Sequence, residues 1–381
     1  MARCPGGGAS RRDDRRRRGR RGRLGGVALV ARPLHRGRQP GTGGRLAGRL
    51  RAGRRLRVGG GTVTAVPEVS VVVVSHDGAE WLERCLQALT GDGRPSVDVE
   101  TVVVDSGSGP ETLALLERWA DRVDVLVAGE NVGFARGCNL GVARTTGRRV
   151  LLLNPDAVVR PGCVDALVRA LDEHPEAGLV GGRTVRPDGS VDPSSCWGRP
   201  TLWSWFCFAT GLSSALRGSR LFDPESLGRW QRDTPRRVDV VTGCLLIAER
   251  TTWDRLGGLD ESYFMYGEDA DLSLRAAAAG LHPRITPDAV ALHAVGASSG
   301  GNSSATKMRL LFTGKATLAL RRWSPVRARL GIGLLRAGVA LRALGERVRR
   351  TPSPRWVPLV SDPSWTKGWP EQRPALAAPR W

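Results

Sequence analysis

The chain has 381 residues, 41% hydrophobic and 25% charged, enough for one large domain or two small ones. Its formal charge of +21 is concentrated at one end: residues 1–66 hold 19 Arg against Asp13 and Asp14, a net of +17, which leaves only +4 on the rest. The longest apolar run, "TLWSWFCFATGLSSAL", falls short of the roughly 18 residues a membrane-spanning helix needs and is interrupted by hydroxyl side chains and a glycine.

Residues 1–66 are Arg/Gly-rich with no sustained apolar period and are expected to be disordered. One reading makes them an arm for RNA or anionic lipid. The other, which we prefer, makes them a translated leader outside the native protein, which would then begin near Val63. The segment lacks the apolar core and cleavage site of a signal peptide. Seven scattered cysteines form no CxxC pair, which predicts reduced thiols in a cytoplasmic protein and argues against a zinc site.

Regular structure starts at Val69. "VSVVVVS" is a continuous β-branched run, as in a strand covered on both faces. "AEWLERCLQAL" follows with helical spacing, then "VDVETVVVD" as strand, "ETLALLERWA" as helix and "RVDVLVA" as strand. "GFARGCNLGVARTTG" reads as helix and "RRVLLLNPD" as a strand running into a loop. This alternation predicts an α/β sheet with crossover helices, whose ligands gather at the carboxyl ends of the strands. Those ends read "SHDG", "DSGSG" and "NPDA", three polar turns along one edge.

Further on, "GCVDALVRALDEH" predicts a helix and "GLVGG" a short strand, while residues 186–236 read as irregular despite five Trp or Phe between positions 197 and 208. "VDVVTGCLLIAE" predicts one strand, "RTTWDRLGGLD" a short helix, and "LHPRITPDAVALH" two short strands. In "FMYGEDADLSLRAAAAG" a helix starts after Gly267 with Glu268, Asp269 and Asp271 in its first turn, where the helix dipole favours acids whether or not they do chemistry.

The pieces "VVVVSHDG", "VVVDSGSG", "NVGFARGCNLG", "LLLNPDA", "VTGCLLI", "GGLDESYFMYGEDADLSLR" and "ALHAVGASS", in this order over residues 68–300, resemble glycosyltransferase family 2, and most of all its rhamnosyltransferase-like bacterial branch. The resemblance implies a GT-A fold, a Rossmann-like, mostly parallel sheet flanked by helices, over residues 67–300. It also implies inverting transfer of a sugar from a nucleotide-sugar, dTDP-rhamnose or another, to a glycan or lipid-linked acceptor of the cell envelope. Departure of the diphosphate needs positive charge, which Mg²⁺ or Mn²⁺ would supply.

In that comparison Asp156 holds the last position of the family's Asp-x-Asp metal motif, with Asn154 in the first, and His293 matches a histidine ligand 24 residues after Asp269. Asp105 resembles the acid that accepts from the nucleotide base, and Ser75, His76 and Asp77 occupy the first strand end, with Asp77 in place of the family's Asn. Arg136 is placed to meet the diphosphate, and Asn139 matches the family's Asn in the same segment. Asp269 aligns with the general base, Glu268 is its acceptor-orienting neighbour, and Asp271 reads as a capping residue. The helix dipole is expected to hold the base's pKa low.

Residues 301–350 read as two basic, apolar helices divided at Pro325, with Glu346 the only acid between 307 and 350. They suit an anionic membrane surface at the inner face of the cell membrane, or a face packed on the catalytic domain; the sequence leaves both open. The Trp- and Pro-rich tail, 351–381, is expected to be poorly ordered. Two other functions stay in view: a non-catalytic GT-A module that binds nucleotide or glycan, and a polyanion binder acting through residues 1–66. No specific nucleic acid is expected as partner.

Overall fold

The computed structural model describes residues 66–91, 94–294 and 305–370. The leader to residue 65, the end of "ALHAVGASS" and the last residues of the tail lie outside the described residues. Eleven strands are present among them: β1 (Val69–Ser75), β2 (Val99–Asp105), β3 (Asp124–Val127), β4 (Arg149–Leu153), β5 (Ala157–Val159), β6 (Leu179–Val185), β7 (Cys196–Trp197), β8 (Arg236–Arg237), β9 (Val240–Val241), β10 (Leu245–Glu249) and β11 (Arg284–His293). Nine of them form one sheet in the order β3-β2-β1-β4-β10-β6-β11-β5, with β8 paired to β11, while β7 and β9 pair separately.

Strands β1, β2, β3, β4, β6 and β11 run the same way, and β10, β5 and β8 oppose them. The sheet is therefore mostly parallel, as predicted, and its first four strands are the alternating βα part of the sequence. β1 lies between β2 and β4 and is buried along its whole length, which explains a run of four valines with no polar alternation. One layer of helices, including Ala79–Thr90 and Cys163–Glu173, closes one face through Leu82, Leu86, Leu167 and Leu171. The helix Phe134–Val142 covers the other face and comes unusually close. A Cβ at Gly137 would sit 2.7 Å from Val74, so only glycine lets the backbone approach this near.

Three local readings differ from the sequence expectation. "VDVVTGCLLIAE" is two strands, because the chain turns at Thr242–Cys244 and β9 leaves the main sheet to pair with β7. "RITPDAVALH" is one ten-residue strand that absorbs its polar middle as a register shift between Thr286 and Val290. Within 186–236, residues Leu202–Thr210 are helical. Thr201 and Ser204 form a reciprocal capping box there, a signal present in the sequence but masked by the aromatic density around it.

The helices Ala305–Arg322 and Pro325–Val348 pack against Leu202–Thr210 and build a separate aromatic core from Trp205, Phe312, Trp323, Leu335 and Val339. Trp205 and Trp323 meet with ring centroids 4.5 Å apart. The tail expectation needs correction over its described part. Residues 357–361 and 363–367 are helical, and Trp365 is buried in that same core with its indole N–H donating to the Leu359 carbonyl, 3.0 Å away.

Candidate active site

The carboxyl ends of β1, β2 and β4 carry the predicted polar turns, and the first two are laced together. Ser75 and Asp105 are register partners across the β1–β2 pair, both buried. The Asp105 carboxylate accepts from the Gly107 and Ser108 amides, both at 3.3 Å, so it is aimed and immobilised by its own turn. Asp77 adopts a left-handed backbone, a conformation Asp tolerates, and accepts from the Gly109 amide at 2.7 Å. His76 Nδ1 lies 2.8 Å from the Ser106 carbonyl oxygen. The four residues Ser75, His76, Asp77 and Asp105 thus form one braced rim at the edge of the crevice.

On the helix Phe134–Val142, Arg136 is half-buried, and its Nε finds no hydrogen-bond partner among the described residues. An orphaned guanidinium N–H in a protein interior costs stability unless a ligand accepts from it. Asn139, three residues on, is occupied otherwise. Its Nδ2 donates to the Leu259 carbonyl at 2.8 Å and to Glu261 at 3.2 Å, while its Oδ1 accepts from the Leu259 amide at 3.0 Å. Its amide therefore braces the 258–261 loop that leads to Glu268. A second tie reinforces this one: the Phe134 amide donates to the Phe264 carbonyl at 2.8 Å. A Cβ at Gly133 would collide with that carbonyl.

The structure brings Asp156 and His293 together and adds a residue the sequence did not suggest. His293, at the end of β11, lies between two buried acids: its Nδ1 is 2.8 Å from Asp192 Oδ2 and its Nε2 is 3.4 Å from Asp156 Oδ1. Burial works against the imidazolium, yet Cys244 together with Asp156 and Asp192 outweighs it and holds the ring's pKa above its ordinary value. Burial also acts to raise the Asp192 carboxyl, but hydrogen bonds from His293 and Ser194 win and push it down to about 2. Asp192 lies 101 residues from His293 in sequence, in a stretch that reads as irregular. Only the folding of the chain after β6 places it behind the ring.

This arrangement fits a hard divalent cation. A carboxylate oxygen and an imidazole nitrogen meet 3.4 Å apart, close enough to share a proton, and a second carboxylate takes the far nitrogen. That is how a metal-ligating histidine is oriented and made more basic. Metal and proton would compete for Nε2, so binding would strengthen as the ring loses its proton. Among the described residues no three His, Cys, Asp or Glu side chains are grouped to hold a metal. One carboxylate with the rest from substrate oxygens and water is a normal donor set for Mg²⁺, whereas a ligating imidazole nitrogen favours a transition metal such as Mn²⁺.

The acids of the helix Glu268–Ala278 divide into two environments. Asp269 Oδ1 accepts from the Ala270 amide at 2.7 Å and its Oδ2 from the Gly243 amide at 3.3 Å. The next residue, Cys244, accepts from the Asn154 amide at 3.0 Å. Asp269 and the β4 turn are therefore joined through one short link. Glu268 is buried, and its Oε2 has no hydrogen-bond partner among the described residues. Burial first, then Asp269 and Asp271, push the Glu268 carboxyl well up.

Asp269 runs against the expected direction. Burial raises its pKa, and the amides of Ala270 and Gly243 offset that only in part. Desolvation here exceeds the influence of the first-turn dipole. Asp271 is no capping residue: it is fully buried and accepts from Arg275 Nε at 2.7 Å and from the Arg322 guanidinium. Tyr266, just before the helix, has a left-handed backbone at φ 65°, a strained choice for a tyrosine of the kind that gathers at functional sites.

A family model described as glycosyl transferase family 2 matches residues 70–225. The N-acetylglucosaminyl-diphospho-decaprenol L-rhamnosyltransferase of Mycobacterium tuberculosis is 31% identical over 250 residues, which span 60% of this chain and 77% of that protein. The O-antigen biosynthesis protein RfbC of Myxococcus xanthus is 29% identical over 239 residues, 62% of this chain and 18% of that one. Among solved structures, a mannosyltransferase from Pyrobaculum calidifontis in complex with GDP-Man and Mn²⁺ aligns with a TM-score of 0.47 at 20% identity, covering 80% of this chain and 84% of that one. The extent and identity of the match to the mycobacterial relative, together with the family model, establish that this chain belongs to glycosyltransferase family 2 and is a glycosyltransferase.

Proposed function

We propose that the protein transfers a sugar, with inversion, from a nucleotide-sugar to a hydroxyl of a cell-envelope glycan or lipid-linked acceptor. Rhamnose from dTDP-rhamnose is the donor we favour, because the mycobacterial relative is named as a rhamnosyltransferase acting on a diphospho-decaprenol. The observation that carries the reading is the short link from Asp269 through Gly243 and Cys244 to the β4 turn. It supports Asp269 as the proton acceptor, beside the crevice edge that would hold the leaving group.

Asp105 would accept from the nucleotide base, with Ser75, His76 and Asp77 shaping the rim around it and Asn154 contributing from the β4 turn. Arg136 would donate its unpartnered N–H to the diphosphate, a charge-assisted bond that satisfies a buried donor. Asp156 and His293 would hold Mg²⁺ or Mn²⁺, which when bound supplies positive charge to the departing diphosphate. Asp192 keeps the His293 ring turned with Nε2 toward that position. Asp269 would take the proton from the acceptor hydroxyl as its oxygen attacks the anomeric carbon from the opposite face. Its raised pKa makes it a stronger base than a solvated aspartate. Glu268 would orient the acceptor. Asn139 enters as a brace for the loop that carries these acids.

The test is a panel of nucleotide-sugars, each titrated by calorimetry with Mg²⁺, with Mn²⁺ and with chelator. Metal-dependent binding of at least one donor, followed by its slow hydrolysis, is expected. If no donor binds in the presence of either metal, the enzyme reading fails and a glycan-binding module becomes the better account.

A further inference from the structure

The helix Pro325–Val348 has two apolar faces on opposite sides. One is buried on the aromatic core through Ala328, Ile332, Leu335, Val339 and Ala343. The other carries Val326, Leu330, Leu341, Leu344 and Val348, with Gly333 and Ala337 between them, at steps of three, four or seven residues along one stripe. Every one of these is exposed, Val326 at 64%, Leu330 and Leu344 at 58% each and Val348 at 75%. The stripe extends about 33 Å at 1.5 Å per residue. A helix packed on a protein by one face ordinarily turns charge to water on the other, and this one does not.

Charge is present only along the edges, and all of it has one sign. Arg329, Arg336 and Arg347 follow one border of the stripe, exposed. Glu346, the helix's single acid, directs its carboxylate to the amides of Arg355, Trp356 and Val357 on the tail. Aliphatic side chains with guanidinium groups at their border complement an anionic bilayer, where the former enter the acyl boundary and the latter meet lipid phosphates. The helix is long enough to span a bilayer but carries too much charge and too little apolar character to cross it. A second copy of this face would bring more arginine and no acid to pair it, and the leader carries +17 of its own.

We propose that the exposed face of Pro325–Val348 lies in the plane of an anionic membrane surface and docks the enzyme there. Its purpose, meeting a lipid-linked acceptor, rests on the function proposed above; the docking itself is measured without any transfer reaction. Because the leader is itself basic, the test reads the stripe directly. The full chain carrying Cys4→Ser and Leu344→Cys is labelled at position 344 with a polarity-sensitive fluorophore, the six cysteines at 85, 138, 163, 196, 207 and 244 being buried. A parallel label at Glu117→Cys on the helix Pro110–Trp119 serves as reference.

With phosphatidylglycerol-rich vesicles the label at 344 should shift to the blue and become shielded from aqueous iodide. The label at 117 should not respond, and pure phosphatidylcholine should have far less effect at 344. A second chain with Leu330→Glu and Val348→Glu added should lose the shift at 344 while keeping its fold and donor binding. Sedimentation with vesicles but no change at 344 would mean the leader binds lipid, and the proposal falls. A blue shift that grows with protein concentration in the absence of vesicles would make the face a self-association surface, and the proposal falls equally.

Discussion

Within its first turn the helix Glu268–Ala278 carries acids of the same kind in opposite states. Asp271 and Asp260 meet Arg275 and Arg322, two buried acids against two buried bases, with other donors spent on backbone carbonyls such as Gly258. Glu268 and Asp269 have no cation paired to either among the described residues, and one Glu268 oxygen accepts from nothing. A closed ion-pair network is what a fold needs to tie its C-terminal helix to its sheet domain. An open pair of carboxylates with raised pKa values costs stability, and proteins keep such a cost where chemistry requires it.

That contrast is tested most severely at Asp269. Asp269→Asn removes the proposed proton acceptor and keeps the shape, so transfer should fall by roughly 10²–10⁴-fold while donor affinity stays within a small factor. Steady-state kinetics beside donor titration separates the two, and unchanged turnover would remove Asp269 from the role. Asp271→Ala is the mirror experiment. It strands Arg275 and Arg322 in the interior and should lower stability by about 3–5 kcal/mol, read as a large drop in melting temperature. A small drop would show that water or Asp260 compensates and that the ion-pair network is less closed than its contacts suggest.

Smaller effects refine the picture. Asp192→Asn leaves the His293 ring in place but weakens its orientation, so metal-dependent donor affinity should fall about 10–100-fold, with metal-independent binding unchanged. Glu268→Gln should raise the melting temperature of the metal-free protein at neutral pH. Its folded pKa lies above its unfolded value, so the folded state holds the proton more tightly, and Glu268 loses stability for the protein as pH rises from about 4.5 upward. The gain from Gln should therefore shrink as pH is lowered toward 4.5 and should disappear below it. A melting temperature indifferent to the substitution at every pH would mean that Glu268 is solvated after all.

The parts of the protein legible in its sequence are those with short-range causes. The valine run of β1 and the helical spacing that follows it announce a parallel α/β sheet, and three polar strand ends announce where the crevice lies. The acids at 268 and 269 stand out because they cluster in one turn. Residues whose roles arise from distant neighbours were not visible. Asp192 lies in a stretch that reads as irregular until β6 and β11 pair and carry it to His293. Asp271 reads as a helix cap until Arg322, 51 residues later, closes on it. Asn139 follows the family pattern, but its contacts with Leu259 and Glu261 emerge only when the loop folds over its helix.

The sequence by itself determined the periodicities, and with them the sheet, its crossover helices and the chemical types gathered at its edge, because those depend on neighbours within one or two turns of chain. Tertiary structure alone decided which carboxylates are closed off and which stay open. Asp271 has one cation four residues on, Arg275, but its second, Arg322, comes from 51 residues away, and burial strong enough to reverse the dipole's effect on Asp269 is a property of the packed interior. The same holds for the helix Pro325–Val348, basic and apolar in sequence: packing covers one apolar face and leaves the other exposed with arginines along its border.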